Sequence, residues 1–232
     1  MKIAPAFNLF LFTLFLGTIL TTNGCVRVHV HVDVLEDSNL QCSSCPTTSH
    51  EPPRQEPDLG PEKKISLKIK KHELVELTED EALGILEQAT KVAKTDGQCN
   101  LQLVRDGEGE IENFTWLQDG EKVGVVSSDF DFAIITHLPG VKVVKDVQWC
   151  DRPGPWIGCA ELPGDALAVE MLREKEGEQK PFYQTLGVLW LHEYGHNKGN
   201  YHRLNSTAVM HPQIFSEHSA LTSTECGNFK LP

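Results

Sequence analysis

The sequence predicts an α+β domain, and three observations predict it. Short runs from about Ile65 onward alternate in the manner of strands. A capped amphipathic helix interrupts them early, and a longer apolar helix bearing two histidines comes after them.

Taken in order, Met1 to Gly24 reads as an export signal. Lys2 supplies a positive charge, and Leu9 to Leu20 is an apolar run of roughly half the ~20 residues that cross a bilayer. Thr22-Asn23-Gly24-Cys25 resembles a bacterial lipobox, in which Cys25 would carry lipid and become the mature N-terminus; simple cleavage nearby is the alternative. Either route makes the protein exported, as a cell-envelope lipoprotein or a secreted chain.

Cys25 to Val34 has a strict period of two. Val26, Val28, Val30, Val32 and Val34 share one face and His29, His31 and Asp33 the other, which reads as a polar strand face or a stub rather than a metal site. Residues 36–63 are rich in Pro, Ser, Thr and acidic residues and cannot bury a core. The domain plan is therefore a signal at 1–24, a tether or linker at 25–63 and the main folded domain at 64–232. Cys42-Ser-Ser-Cys45 lies in the linker without the helix that a redox centre needs, and reads as a local structural disulfide. With Cys25 lipidated, Cys99, Cys150, Cys159 and Cys226 remain to staple the main domain.

Within that domain, Ile65 to Lys70 alternates as one strand. Thr78 and Glu81 form a capping box, Ala82, Ile85, Ala89 and Val92 follow at helical spacing, and Gly97 ends the helix. Strands are expected at 100–105, 122–127, 132–136 and 141–147, then at 158–160 and 166–171. Arg173 to Lys180 reads as a surface turn, and one helix runs from Pro181 to about Lys198.

The 232 residues suit one packed domain with a tail, and 40% hydrophobic with 23% charged residues is an ordinary globular balance. A net charge of −12 without a basic stripe argues against a nucleic-acid partner. Nothing calls for more than a monomer.

Residues 190–203 carry the chemistry: Trp-Leu-His-Glu-Tyr-Gly-His-Asn-Lys-Gly-Asn-Tyr-His-Arg. His192 and His196 stand four apart, on one helix face, so their imidazoles can meet at one ion. Glu193 is one step round, close enough to hold a water without being a ligand. Gly199 can take a positive φ and turn the chain, which lets His202 return as a third ligand. Three neutral imidazoles leave one position of a tetrahedral zinc open, as catalysis requires.

The full pattern, HExxHxxGxxH, resembles the metzincin clan of zinc peptidases, which includes matrixins, astacins, adamalysins and serralysins. Ala208-Val209-Met210-His211-Pro212 follows at a short distance, and Met210 matches the clan's Met-turn, a methionine beneath the zinc that does not bind it. The resemblance implies one catalytic Zn2+ held by His192, His196 and His202. It also implies a metalloendopeptidase acting on protein or peptide substrates, with Glu193 as general base. It further implies a mixed twisted sheet whose edge strand, here Gly158, Cys159 and Ala160, lines the cleft. Pro212 stands where astacins and serralysins place a tyrosine ligand, and Arg203 does not match the astacin, matrixin or adamalysin pattern, so no family within the clan is assigned. His50, His72, His137, His211 and His218 read as surface or satisfied core residues. The alternative function is an envelope-anchored zinc-binding protein without turnover. Residues 26–63 could also serve as an inhibitory pro-segment, for which a tether is the preferred alternative. Asn113-Phe-Thr115 and Asn205-Ser-Thr207 are glycosylation sequons, relevant in a eukaryotic secretory route.

Overall fold

A computed structural model describes residues 60–114, 124–173 and 182–232, together with the backbone strand β1 (Cys25–Arg27). The export segment, the His29, His31 and Asp33 face, the Cys42–Cys45 pair and residues 174–180 lie outside the described residues. Among the described residues, no helix is long and apolar enough to cross a membrane.

The fold is mixed α/β: a curled mixed sheet with four helices. After β2 (Lys63–Leu67) and β3 (Ile69–His72) comes α1 (Glu79–Lys91), extended by a π-turn at Val92–Asp96. Then follow β4 (Leu101–Arg105), β5 (Glu112–Phe114), β6 (Val125–Val126), α2 (Asp129–Thr136), β7 (Gly140–Val144) and β8 (Asp146–Cys150). The chain closes with β9 (Arg152–Ala160), β10 (Ala166–Glu170), α3 (Tyr183–Asn197) and α4 (Ser223–Phe229).

The capping box at α1 is present. Thr78 Oγ1 accepts from Glu81 N–H at 3.2 Å, and Glu81 Oε2 accepts from Thr78 N–H at 2.8 Å. Each such cap stabilises a helix by about 1 kcal/mol. Thr222 and Glu225 repeat the device on α4.

Three strand expectations need correction. The run at 65–70 is two strands in different sheets: β2 pairs with β4, while β3 joins the main sheet, so alternation continued across a change of partner. The run at 141–147 is likewise broken, into β7 and β8. Residues 132–136 are helical. Ser128 caps α2 by accepting from Asp131 N–H at 3.2 Å, and Asp131 accepts in turn from Ser127 N–H at 2.9 Å, so local capping outweighs an apolar run that looked strand-like.

The main sheet is connected along the path β5–β3–β7–β10–β9–β8–β6. β5, β3, β7 and β10 run parallel, and β9 runs antiparallel to both β10 and β8. α1 and α3 cover one face through Ile85, Leu186, Leu189 and Trp190 packed on Val141, Val143, Leu167 and Val169. On the other face Ile135 of α2 joins Val144, Val147, Trp156 and Ala168. Alternate residues of β7 and β10 thus serve opposite layers, as a pleated strand requires.

The four cysteines expected to staple the domain do so as Cys99–Cys226 and Cys150–Cys159. The first spans 127 residues and ties the start of β4 to α4; in the chain-entropy picture a loop of that size contributes about 4–5 kcal/mol.

β9 has two edges, and their partners differ. Cys159 faces Ala168 of β10 on one edge and Cys25 of β1 on the other. Trp156 likewise faces Val147 of β8 and Arg27 of β1. β8 and β10 therefore share one edge, and β1 is the only strand among the described residues paired to the opposite one.

Candidate metal centre

α3 is buried from Leu186 to Asn197, a helix surrounded on all sides by the domain. Its C-terminus makes a Schellman turn. Asn200 N–H donates to Gly195 O at 2.9 Å and Gly199 N–H to His196 O at 2.8 Å, with Gly199 at φ 78°. A side chain at 199 would strain that conformation, and the turn is what redirects the chain so that His202 returns toward α3.

The return brings His192, His196 and His202 together, their ligand atoms all within 4.8 Å of one another. His196 Nε2 is 2.9 Å from His192 Nε2 and 3.1 Å from His202 Nε2. The other ring nitrogens decide what these contacts are. His192 Nδ1 meets Val209 O at 2.7 Å and His196 Nδ1 meets Asn200 O at 2.8 Å. A carbonyl can only accept, so both Nδ1 atoms carry the proton and both Nε2 atoms present lone pairs. Two lone pairs facing at 2.9 Å repel, and no proton lies between them in the neutral rings.

Protonating the rings is not the remedy. Burial pushes His192 well below the ordinary histidine range, His196 down to about 3 and His202 down to about 4, with neighbouring rings adding to each shift. A cation shared by the three nitrogens satisfies them all, so the donor set fits a metal ion.

Glu193 stands beside them, fully buried, and neither carboxylate oxygen has a hydrogen-bond partner within the protein. Burial alone raises its pKa well above the usual carboxylate range. The group faces β9: a Cβ at Gly158 would collide with the carboxylate. The sheet supplies the reason for this aim. Cys25 to Arg27 is two steps along β1, but Cys159 to Trp156 is three along β9, so β9 carries a bulge at Ile157–Gly158. Trp156 and Cys159 turn to one layer, while Ile157 and Ala160 serve the other.

Met210 is fully buried, and a Cβ at Gly195, the residue before His196, would come 2.5 Å from its sulfur. The strand of loop that carries it is held to the segment after His202 by Arg203 N–H donating to Met210 O at 2.8 Å.

Several features here were not legible beforehand. Arg203 forks onto Glu225 of α4 and donates to Ala220 O at 2.9 Å. His211 and His218, read as surface or satisfied core residues, pack edge to face at 5.2 Å between ring centres, and His218 is buried. Of the remaining candidates, Gly158, Cys159 and Ala160 lie in β9, with Cys159 in a disulfide to Cys150, and the Cys25 backbone pairs with Cys159.

No family model and no curated protein matches the sequence. Among solved structures the chain is similar to archaemetzincin from Methanopyrus kandleri, at 12% identity over 73% of this chain and 86% of that one, with a TM-score of 0.42. It is similar also to metalloproteinase-II from Bacteroides fragilis, at 12% identity over 72% of this chain and 52% of that one, TM-score 0.40. A chain in a chaperone–substrate complex is similar at 12% identity over 73% of this chain and 33% of that one, TM-score 0.37.

Proposed function

We propose that the protein is an exported zinc-dependent endopeptidase of the metzincin type, with His192, His196 and His202 as ligands and Glu193 as general base. The observation that carries this reading is the pair of Nε2 lone pairs facing each other in a buried site, each fixed by a backbone carbonyl behind it. Three neutral imidazoles with an open fourth position suit zinc. Zinc bound there would polarise a scissile carbonyl and make a water more acidic.

The other roles belong to the chain. Glu193, uncommitted to any protein donor, takes the proton of the attacking water and passes it to the leaving amine. Its enclosure keeps bulk water from competing for that proton. The backbone of Gly158, Cys159 and Ala160 aligns an extended peptide beside Glu193 by strand addition. Met210 is the Met-turn residue, supporting the ligands from below without binding metal. Cys25, if lipidated, tethers the catalytic domain to the envelope through residues 26–63.

The test is cleavage of an unstructured peptide library by the purified chain, with and without chelator, beside a Glu193→Gln variant. Expected are chelator-sensitive cleavage by the parent and a loss of about 10²–10⁴-fold in the variant, with one zinc retained per chain. Zinc bound by the parent without any cleavage would instead make this a zinc-binding protein without turnover.

A further inference from the structure

Resting on the peptidase reading, we infer that the chain's own N-terminal strand, Cys25–Arg27, occupies the peptide-binding edge of β9 and competes with substrate for it.

The outer edge of β9 between Trp156 and Cys159 is where β1 pairs, antiparallel, and no other strand among the described residues pairs there. This stretch contains the bulge that turns Gly158 toward the Glu193 carboxylate. A backbone lying along that edge therefore passes the reacting carboxylate. A peptide substrate adding as a strand needs the same N–H and C=O groups that β1 uses, and one strand edge accepts one partner at a time.

A ladder of three residues is weak alone, because so few hydrogen bonds offset the ordering of the segment. The covalent connection changes this. Arg27 is joined to Gly60, at the start of the domain, through about 33 residues, which extend to at most ~110 Å. Because β1 belongs to the same chain, it competes intramolecularly, at an effective concentration on the order of millimolar. Substrate must displace a competitor at that concentration, so the block raises KM and leaves kcat unchanged once substrate saturates. The repeated Val-x-Val pattern from Val26 to Val34 gives the segment the strand propensity this use requires.

The experiment uses the full chain carrying Val26→Pro and Arg27→Pro together. Neighbouring strand residues aim their N–H groups at opposite edges, so one of the two prolines removes a donor facing β9 whatever the register. Two readouts are taken: steady-state kinetics on an unstructured peptide, and hydrogen exchange of the Trp156–Ala160 amides. The expected result is a 5- to 10-fold lower KM with the same kcat, and faster exchange on β9. A synthetic peptide of residues 25–34 added to the variant should restore the higher KM competitively. Equal KM in the two chains overturns the inference, as does equal exchange. If neither chain cleaves peptide, the peptidase reading fails, and the exchange result alone decides whether β1 covers the edge.

Discussion

Arg203 grips Glu225 with two hydrogen bonds, Nε to Oε1 at 3.0 Å and Nη2 to Oε2 at 3.1 Å, while its own N–H holds the Met210 carbonyl. One residue after His202, a proposed metal ligand, it fastens that loop to α4 on one side and to the Met210 segment on the other.

Replacing Arg203 by Lys should keep the charge and lose the fork. Zinc affinity is expected to fall about 10-fold, in line with outer-shell residues at metal sites. Stability should fall by about 2 kcal/mol, the scale of a charge-assisted hydrogen bond in a half-buried setting. Competition with a chromophoric chelator reads the first and urea unfolding the second; unchanged zinc affinity would mean that His202 is placed without help from Arg203.

His202 is the most exposed of the three clustered histidines and arrives from a loop rather than a helix. His202→Ala should lower zinc content after dialysis from one per chain to well below half. Elemental analysis gives the answer, and full occupancy would show that two histidines suffice.

Gly158→Ala adds a methyl where the Glu193 carboxylate stands. The carboxylate must move, because the β9 backbone is held by its ladder to β10. A shift of about 1 Å in a catalytic group can cost about 10²-fold in rate. Activity is expected to drop on that scale with zinc content unchanged, and equal kcat/KM would separate Gly158 from the chemistry.

Glu170, at the end of β10, accepts from Val147 N–H at 2.6 Å, and its carboxyl is pushed up to about 8, first by burial and then by a hydrogen bond with Asp146. A carboxyl with a folded pKa above its unfolded one binds its proton more tightly in the native state. Its contribution is therefore complete below about 4.5 and is lost as pH rises through about 8. Glu170→Gln cannot ionise and should escape this loss, so its stability relative to the parent should improve between pH 5 and pH 8.5. Urea midpoints at the two values decide it; a difference independent of pH would contradict the assignment.

The legible parts of this protein were those written in short, contiguous stretches. The three histidines, the general-base candidate and the turn at Gly199 sit within eleven residues, so helical geometry and one glycine turn bring them together. The Thr78–Glu81 cap is equally local. What escaped was set by distant partners or by competing local bonds. Glu225 is 22 residues from Arg203, and nothing in either neighbourhood advertises the pairing. Phe132 to Thr136 looked like a strand because its apolar run was weighed without the Ser128–Asp131 cap before it. The bulge at Ile157–Gly158 exists only in the count against β1, which no single segment contains.

The contact between Gly195 and Met210 makes one of the two unspecified letters in HExxH anything but free. The thioether fills the space that a methyl group at 195 would claim. The two positions share one fitted volume, closed by Phe229, so a bulkier residue at 195 requires the Met210 side chain to shift or shorten. Substitution at these sites should be concerted, and a change at either alone should be recovered by a second-site change at the other.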